Sequence, residues 1–424
     1  MSKAVLSSNV VLRNAAVPSA LVANPAQLGG CARQDLLSGD LLLREGRVAG
    51  FLKGEVPEGG LVRDLAGQIL LPRLAEAHCH LDKCHSIFRL GAVGGDLMAA
   101  AAAQRADRAG MTAEDIRRRA SRGLAELHAA GCALVRSHVD WDADHTPLGE
   151  VPPAWRVLGE LADDWSDRLT LQRSALIALE HFDREDYCQE VARCLARDGG
   201  VLGVFVLDQT RKVERLQRVF GLAERHGLAL DFHVDEGLAE GLDGLDGIAG
   251  VALDRDFQGP ILCGHACGLM NVTGDALDRL LEKVAAARLT VVALPSTNLY
   301  LQGRAGGGTP ERRGITRLRE LRAAGVTLAV GSDNVGDAFC PLGSHDPMAN
   351  LGLAALVAHL DPPYGPWLTC VTTDARRALG FAEVFIDDAQ VGDLLCADAT
   401  HSAGIVAGAR RVALADLISE EGPA

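Results

Sequence analysis

An α/β fold, with eight parallel strands and their helices closed into a (β/α)8 barrel beside a small β domain, is predicted from three features of this 424-residue sequence. Strand-like apolar runs alternate with helical periods through the middle of the chain. Both ends lack the helical period and carry short alternating runs instead. Polar, metal-capable residues recur where the central apolar runs stop, as they must if these are barrel strands whose C-terminal ends form a site.

In chain order, residues 1 to about 70 hold Leu41–Leu43 and Arg47–Phe51 around Glu45-Gly46, a hairpin signal. The barrel pattern starts in the stretch Ile69 to Lys83, whose apolar run ends in His78-Cys79-His80. Further strand runs are Ala133–Val139, Leu169–Leu179, Val201–Leu207, Leu228–His233, Ile261–His265, Leu289–Leu294 and Val326–Asp333, completing eight. Helices between them have readable ends. One is capped by Thr112, carries Ile116, Ala120, Leu124 and Leu127 on one face and stops at Gly131. Another sets Val213, Leu216 and Phe220 before Gly227. After about residue 385 the strand candidates are Asp393–Cys396 and Ile405–Val406, with a turn at Gly408, so the two ends are expected to pair.

Composition narrows the function. A 48% hydrophobic chain with only 4% aromatic residues suits helices packed on a parallel sheet. A net charge of −14 excludes nucleic acid and anionic membrane surfaces as main partners, since both need clustered Lys and Arg. The eleven cysteines, from Cys31 to Cys396, form no C-x-x-C pair and read as reduced, mostly buried thiols. Ser7, Ser8, Asn9 and Arg13 interrupt any N-terminal leader, and no run approaches a membrane span, so a cytoplasmic protein is expected.

The strand ends carry the chemistry. Alternation puts His78 and His80 on one face of a strand with Cys79 on the other, so both imidazoles can share one metal ion. Partners end three other strands: His233-Val234-Asp235-Glu236, Gly264-His265, and Gly331-Ser332-Asp333-Asn334. Three or four histidines with one aspartate suit Zn2+ or Fe2+ and leave a position open for water, which the metal turns into a hydroxide nucleophile near neutral pH. Glu236, three residues past a ligand candidate, could pass protons to a substrate nitrogen; Asp333 could bind metal and accept a proton from the attacking water. In isolation the first would be a solvated loop carboxylate and the second an N-cap. His138, in the run Val135 to Asp140, is either a hydrogen-bonding support or a substrate contact. Cys267 reads as a buried thiol, and His128, His181 and His226 as surface or helix-end residues. Gly303–Gly308 lacks a following Lys-Ser/Thr pair and reads as a mobile loop over the barrel mouth.

The motifs HCHLDK at 78–83, VRSHVD at 135–140, HVDEG at 233–237, GHACGL at 264–269, NLYLQGR at 298–304, RRGITR at 312–317 and GSDNV with the following PLG at 331–343 keep a fixed order and spacing. Together they resemble the amidohydrolase superfamily, and within it the group of bacterial cytosine deaminases and N-isopropylammelide amidohydrolase-like enzymes. The resemblance implies a TIM barrel over 71–384 and a flanking β-sandwich from 1–70 plus 385–424. It implies one catalytic divalent ion, Zn2+ or Fe2+, on His78, His80, His233 and Asp333. Glu236 would be the proton shuttle, and His265 would stabilise the bound water or substrate oxygen; whether it also ligates is left open. Two positions depart from the cytosine deaminase pattern. A pyrimidine-reading glutamine on strand three aligns with Ala178, and the second acidic residue after strand eight is Asn334. The flanking aromatic is Phe339.

The expected function is therefore a metal-dependent aminohydrolase that expels ammonia or an alkylamine from a small N-heterocycle, with cytosine itself a poor substrate. One alternative is a cyclic amide hydrolase, but that class commonly carries a metal-bridging lysine at the end of strand four; Val201–Asp208 has none and Lys212 comes late. The other is a non-catalytic metal-binding relative, which should have lost ligands or shuttle. A small heterocycle is the expected partner, and a homo-oligomer stays open.

Overall fold

The computed structural model describes residues 9–55, 60–91, 93–304 and 307–419. Eight parallel strands run in chain order around a barrel: Leu74–Cys79, Cys132–Asp140, Thr170–Ala178, Val201–Val206, Leu230–Val234, Ile261–His265, Thr290–Ala293 and Thr327–Val330. Each pairs with the next in parallel register, so the expected order of eight is the observed one. The first and eighth strands meet through a single bridge between Cys79 and Asp333, where Asp333 N–H donates to the His78 carbonyl at 2.8 Å. Glu76 reinforces that seam. Its buried carboxylate accepts from the backbone of His78 and Ser332 and from the Ser332 hydroxyl.

The barrel floor is apolar and its middle is charged. Ala75, Ala77, Leu134, Leu262, Val292 and Ala329 close on Ala375, Ala378 and Leu379, so the helix Thr373–Ala378 plugs the bottom. Above them Arg136 is fully buried and fully partnered, by Asp231 at 2.9 Å, by the Gln172 side-chain oxygen and by the Leu379 carbonyl. A guanidinium without such partners would be too costly to keep there.

The helix Ala113–Ala129 follows its sequence pattern: Thr112 Oγ1 accepts from Asp115 N–H, Ile116, Ala120, Leu124 and Leu127 are buried, and Gly131 takes φ +98°. In the helix Lys212–His226, Leu216 and Phe220 are buried, but Val213 lies in its first turn with 57% exposure and is not part of the core face.

Both chain ends build one mixed eight-stranded sheet beside the barrel. Leu36–Arg44 and Arg47–Phe51 form the expected hairpin through Arg44 and Arg47. The two ends do pair, through Ile69–Pro72 antiparallel to Leu394–Ala397, but Ile69–Pro72 opens the run that the sequence assigns to the barrel; the barrel strand itself starts at Leu74, after Arg73. The other C-terminal expectation is corrected. Ile405 and Val406 are buried in the short helix Ser402–Val406, capped by His401, and the strand partner is Arg411–Ala413. An isolated pair of β-branched residues carries no period, so strand preference yields to the cap.

Candidate active site

Register sets the site. In the ladder between the fifth and sixth strands His233 lies opposite Gly264 and Val234 opposite His265. Gly264 has to be glycine, because a Cβ there would lie 2.8 Å from Cε1 of His78. The space it leaves lets the first strand's histidine reach across to the fifth.

Six side chains converge at the C-terminal end of the barrel, all at most 3% exposed: His78, His80, His138, His233, His265 and Asp333. Nε2 of His80 is 3.1 Å from Nε2 of His233 and 3.2 Å from Oδ1 of Asp333, while Nε2 of His78 is 3.5 Å from the same oxygen. Potential ligand atoms gather in two overlapping sets, His78, His80, His138, His233 and His78, His233, His265, Asp333. His138 is fully buried in this cluster, its ring 4.0 Å from that of His78 and its Nε2 3.2 Å from Oδ1 of Asp231. The Arg136–Asp231 pair thus props His138 from below.

The donor set fits a cation. Both ring nitrogens of His78, Nδ1 of His80 and of His233, Nε2 of His265 and both oxygens of Asp333 are buried without a hydrogen-bond partner. Each unsatisfied buried polar atom costs about 1–3 kcal/mol, and a shared divalent ion would take up one nitrogen from each histidine it binds together with an Asp333 oxygen. Protonation states agree. Burial and the neighbouring rings hold His233 well below the usual imidazole range, and burial with Lys83 lowers His80 to about 3. Burial opposes ionisation of Asp333, but His265, His78 and His80 outweigh it and keep the carboxyl well below its ordinary value. Neutral imidazoles around one carboxylate are the form a metal requires.

Glu236 stands over this cluster, 5% exposed, with Oε2 3.6 Å from Nε2 of His265. Burial lifts its carboxyl to about 7; His265 and Lys83 oppose the rise and Asp333 adds to it. Nδ1 of His265 lies 3.0 Å from Oδ1 of Asn298, which fixes the ring. Gln302, which opens the glycine-rich run, donates to the Glu236 carbonyl. Within that run Ala305 and Gly306 lie outside the described residues.

The remaining candidates are at the rim. Ala178 ends the third strand, half-buried, opposite Phe205. The Asn334 amide donates to Oδ2 of Asp337 at 2.7 Å, so its carbonyl is what stays free for a ligand. Phe339 is half-buried, and Nζ of Lys83 sits 5.4 Å from its ring centroid. Lys83 and Asp337 were not singled out in the sequence. Lys83 is 2% exposed and bound to Oδ1 of Asp140 at 2.6 Å. Burial works against its charge, yet Asp140 and Asp82 raise its pKa above the ordinary lysine value. The available signal was position, since Lys83 lies three residues past His80 in the same motif. Asp337, buried and lifted to about 7 by that burial, gave no such signal among loop residues. Lys212 pairs with Asp243 at a helix start, away from the cluster.

The amidohydrolase family model matches residues 97–384. The chain belongs to the amidohydrolase family. A pterin deaminase of Rhizobium rhizogenes is 32% identical to this amidohydrolase over 380 residues, covering 89% of this chain and 85% of that protein. Two solved structures share the fold of this amidohydrolase over almost its whole length. A 5-methylcytosine deaminase from Klebsiella pneumoniae superposes with a TM-score of 0.77 at 22% identity, covering 96% of each chain. An N-isopropylammelide isopropylaminohydrolase from Burkholderia multivorans gives 0.71 at 24%, covering 96% of this chain and 97% of that one.

Proposed function

We propose that this amidohydrolase is a hydrolytic deaminase of a 2-amino-4-oxo N-heterocycle of the pterin class, working with one divalent ion, Zn2+ or Fe2+, on His78, His80, His233 and Asp333. The observation that carries the chemistry is the set of buried, partnerless imidazole and carboxylate atoms under Glu236. The substrate class rests on similarity to the pterin deaminase over most of both chains. A divalent ion bound there supplies Lewis acidity and lowers the pKa of water toward neutrality.

The chain's own groups then account for the protons. Water adds to the amino-bearing carbon while a carboxylate oxygen of Asp333 takes one of its protons. Glu236, whose pKa of about 7 lets it hold a proton near neutral pH, gives it to the adjacent ring nitrogen. The proton on Asp333 passes to the amine, which leaves as ammonia, and the new hydroxyl returns a proton to Glu236 as the carbonyl forms. His265, its Nδ1–H donated to Asn298, turns Nε2 toward Glu236 and orients the attacked oxygen. Lys83 and Phe339 form a cationic and apolar wall beside this centre.

Recognition favours a ring larger than cytosine. Ala178 offers neither donor nor acceptor to a pyrimidine edge, and its small side chain leaves room for a second ring. Pairing with Asp337 occupies the Asn334 amide, so no free charge replaces the missing acid. A polar group left unpaired costs about 1–3 kcal/mol, roughly tenfold or more in selectivity. Ammonia release from a panel of pterin, cytosine, aminotriazines and creatinine-like rings checks this. The kcat/KM for pterin should exceed that for cytosine by at least ~10-fold. Equal or faster turnover of cytosine would overturn the substrate class while leaving the metal and shuttle assignments intact.

A further inference from the structure

The loops that leave the first and eighth strands carry a second convergence of ligand atoms, apart from the catalytic cluster. His85 follows the HCHLDK motif, His345 follows Asp333 by one loop, and Glu126 lies in the last turns of the helix Ala113–Ala129. Nε2 of His85 is 3.0 Å and Nδ1 of His345 is 2.8 Å from one oxygen of Glu126, Oε2. All three donor atoms lie within 4.8 Å of one another. The side chains of His345 and His85 are 0% and 9% exposed, that of Glu126 35%.

Each donor is held by something other than its two companions. His85 takes φ +56°, fixed by its N–H to the Val335 carbonyl and by Ile87 N–H to Gly336, so the two loops are zipped together around it. The second oxygen of Glu126 accepts from Arg122 at 2.8 Å. His345 packs on Gly123, where a Cβ would lie 3.0 Å from its Cε1. Ligands placed by their surroundings make a preorganised site. A cavity of about 550 Å³ opens on the three residues and gives water a route to complete a coordination sphere.

We propose that His85, Glu126 and His345 form a second cation site for Zn2+ or a similar borderline transition-metal ion, with water as further ligand. Two imidazoles and one carboxylate select this class over Mg2+ and Ca2+. Tetrahedral zinc sets its ligand atoms about 3.3 Å apart, so the two contacts to Glu126 need open by only a few tenths of an ångström. Arg122 offsets part of the Glu126 charge, which makes this the weaker of the two sites. An ion here ties both metal-bearing loops to one helix and so stiffens the mouth.

The test is zinc binding to chelator-treated full-length protein, followed by equilibrium dialysis with elemental analysis, with Co2+ absorption as a coordination readout. Wild type should take two zinc ions per chain, one tight and one weak. Glu126→Gln, His85→Ala and His345→Ala should each take one, with kcat/KM at one equivalent of zinc unchanged. His233→Ala should keep the weak ion. The proposal is overturned if wild type saturates at one ion, or if the folded Glu126→Gln and His85→Ala variants still bind two.

Discussion

His233→Ala should lose the tightly held metal ion and with it turnover, by at least ~10³-fold. The magnitude follows from what a divalent ion contributes: it lowers the pKa of water from ~15.7 to ~7, and without it no side chain in the cluster can replace that acidity. His233 is the natural place to cut. Its Nε2 lies 3.1 Å from Nε2 of His80, close enough for one cation to bind both nitrogens in place of the N–H···N hydrogen bond that one tautomer allows, and its own strand register places it beside the space left by Gly264. Burial and four neighbouring rings keep it neutral, so it has no alternative role as a charged partner for Asp333. Elemental analysis after chelator dialysis, with ammonia release measured on the same sample, decides the point. A variant that retains a full tight equivalent and near-normal turnover would remove His233 from the ligand set.

Glu236→Gln should show the opposite separation, with metal retained and kcat reduced by at least ~10²-fold, the lower range for removing general acid–base catalysis. The amide keeps the size and hydrogen-bonding reach of the acid but cannot cycle a proton. Glu236 Oε2 stands 3.6 Å from His265 and is not among the gathered ligand atoms, so metal content should not follow activity. Burial raises its pKa to about 7, which means the protonated form is present below that value and lost as pH rises through it. The fall in activity above about pH 7 that loss of this proton causes should therefore be absent from the variant's residual pH profile. Near-normal turnover would return Glu236 to an ordinary buried carboxyl.

What the sequence made legible was whatever has a period or a fixed spacing. Eight apolar runs ended by polar residues outlined the barrel, and Thr112 with Ile116, Ala120, Leu124 and Leu127 outlined one helix with its burial. His78, His80, His233, His265, Asp333 and Glu236 stood out because strand ends point to one place in a barrel. What stayed hidden depends on contacts between distant residues. Glu76 matters because it bridges to Ser332, 256 residues away, across a seam that no local pattern announces. Asp231 reads as a polar interruption of an apolar strand until Arg136 and His138 are seen beside it. Asn334 showed in the sequence only as an amide in place of an acid, and nothing there announces that Asp337 takes its N–H. Val213 fitted a helical stripe yet, in the first turn, keeps 57% of its surface exposed.

The central claim, hydrolytic removal of an exocyclic amine by this buried His, Asp and Glu constellation, is tested most directly by one isotope measurement. Zinc-loaded wild-type protein is allowed to turn over pterin in H₂¹⁸O, and product and ammonia are quantified together. The account predicts one ammonia for each product molecule and one ¹⁸O at the carbon that bore the amine, with the ring intact. A ring-opened product without ammonia, or ammonia without ¹⁸O in the ring, would contradict it.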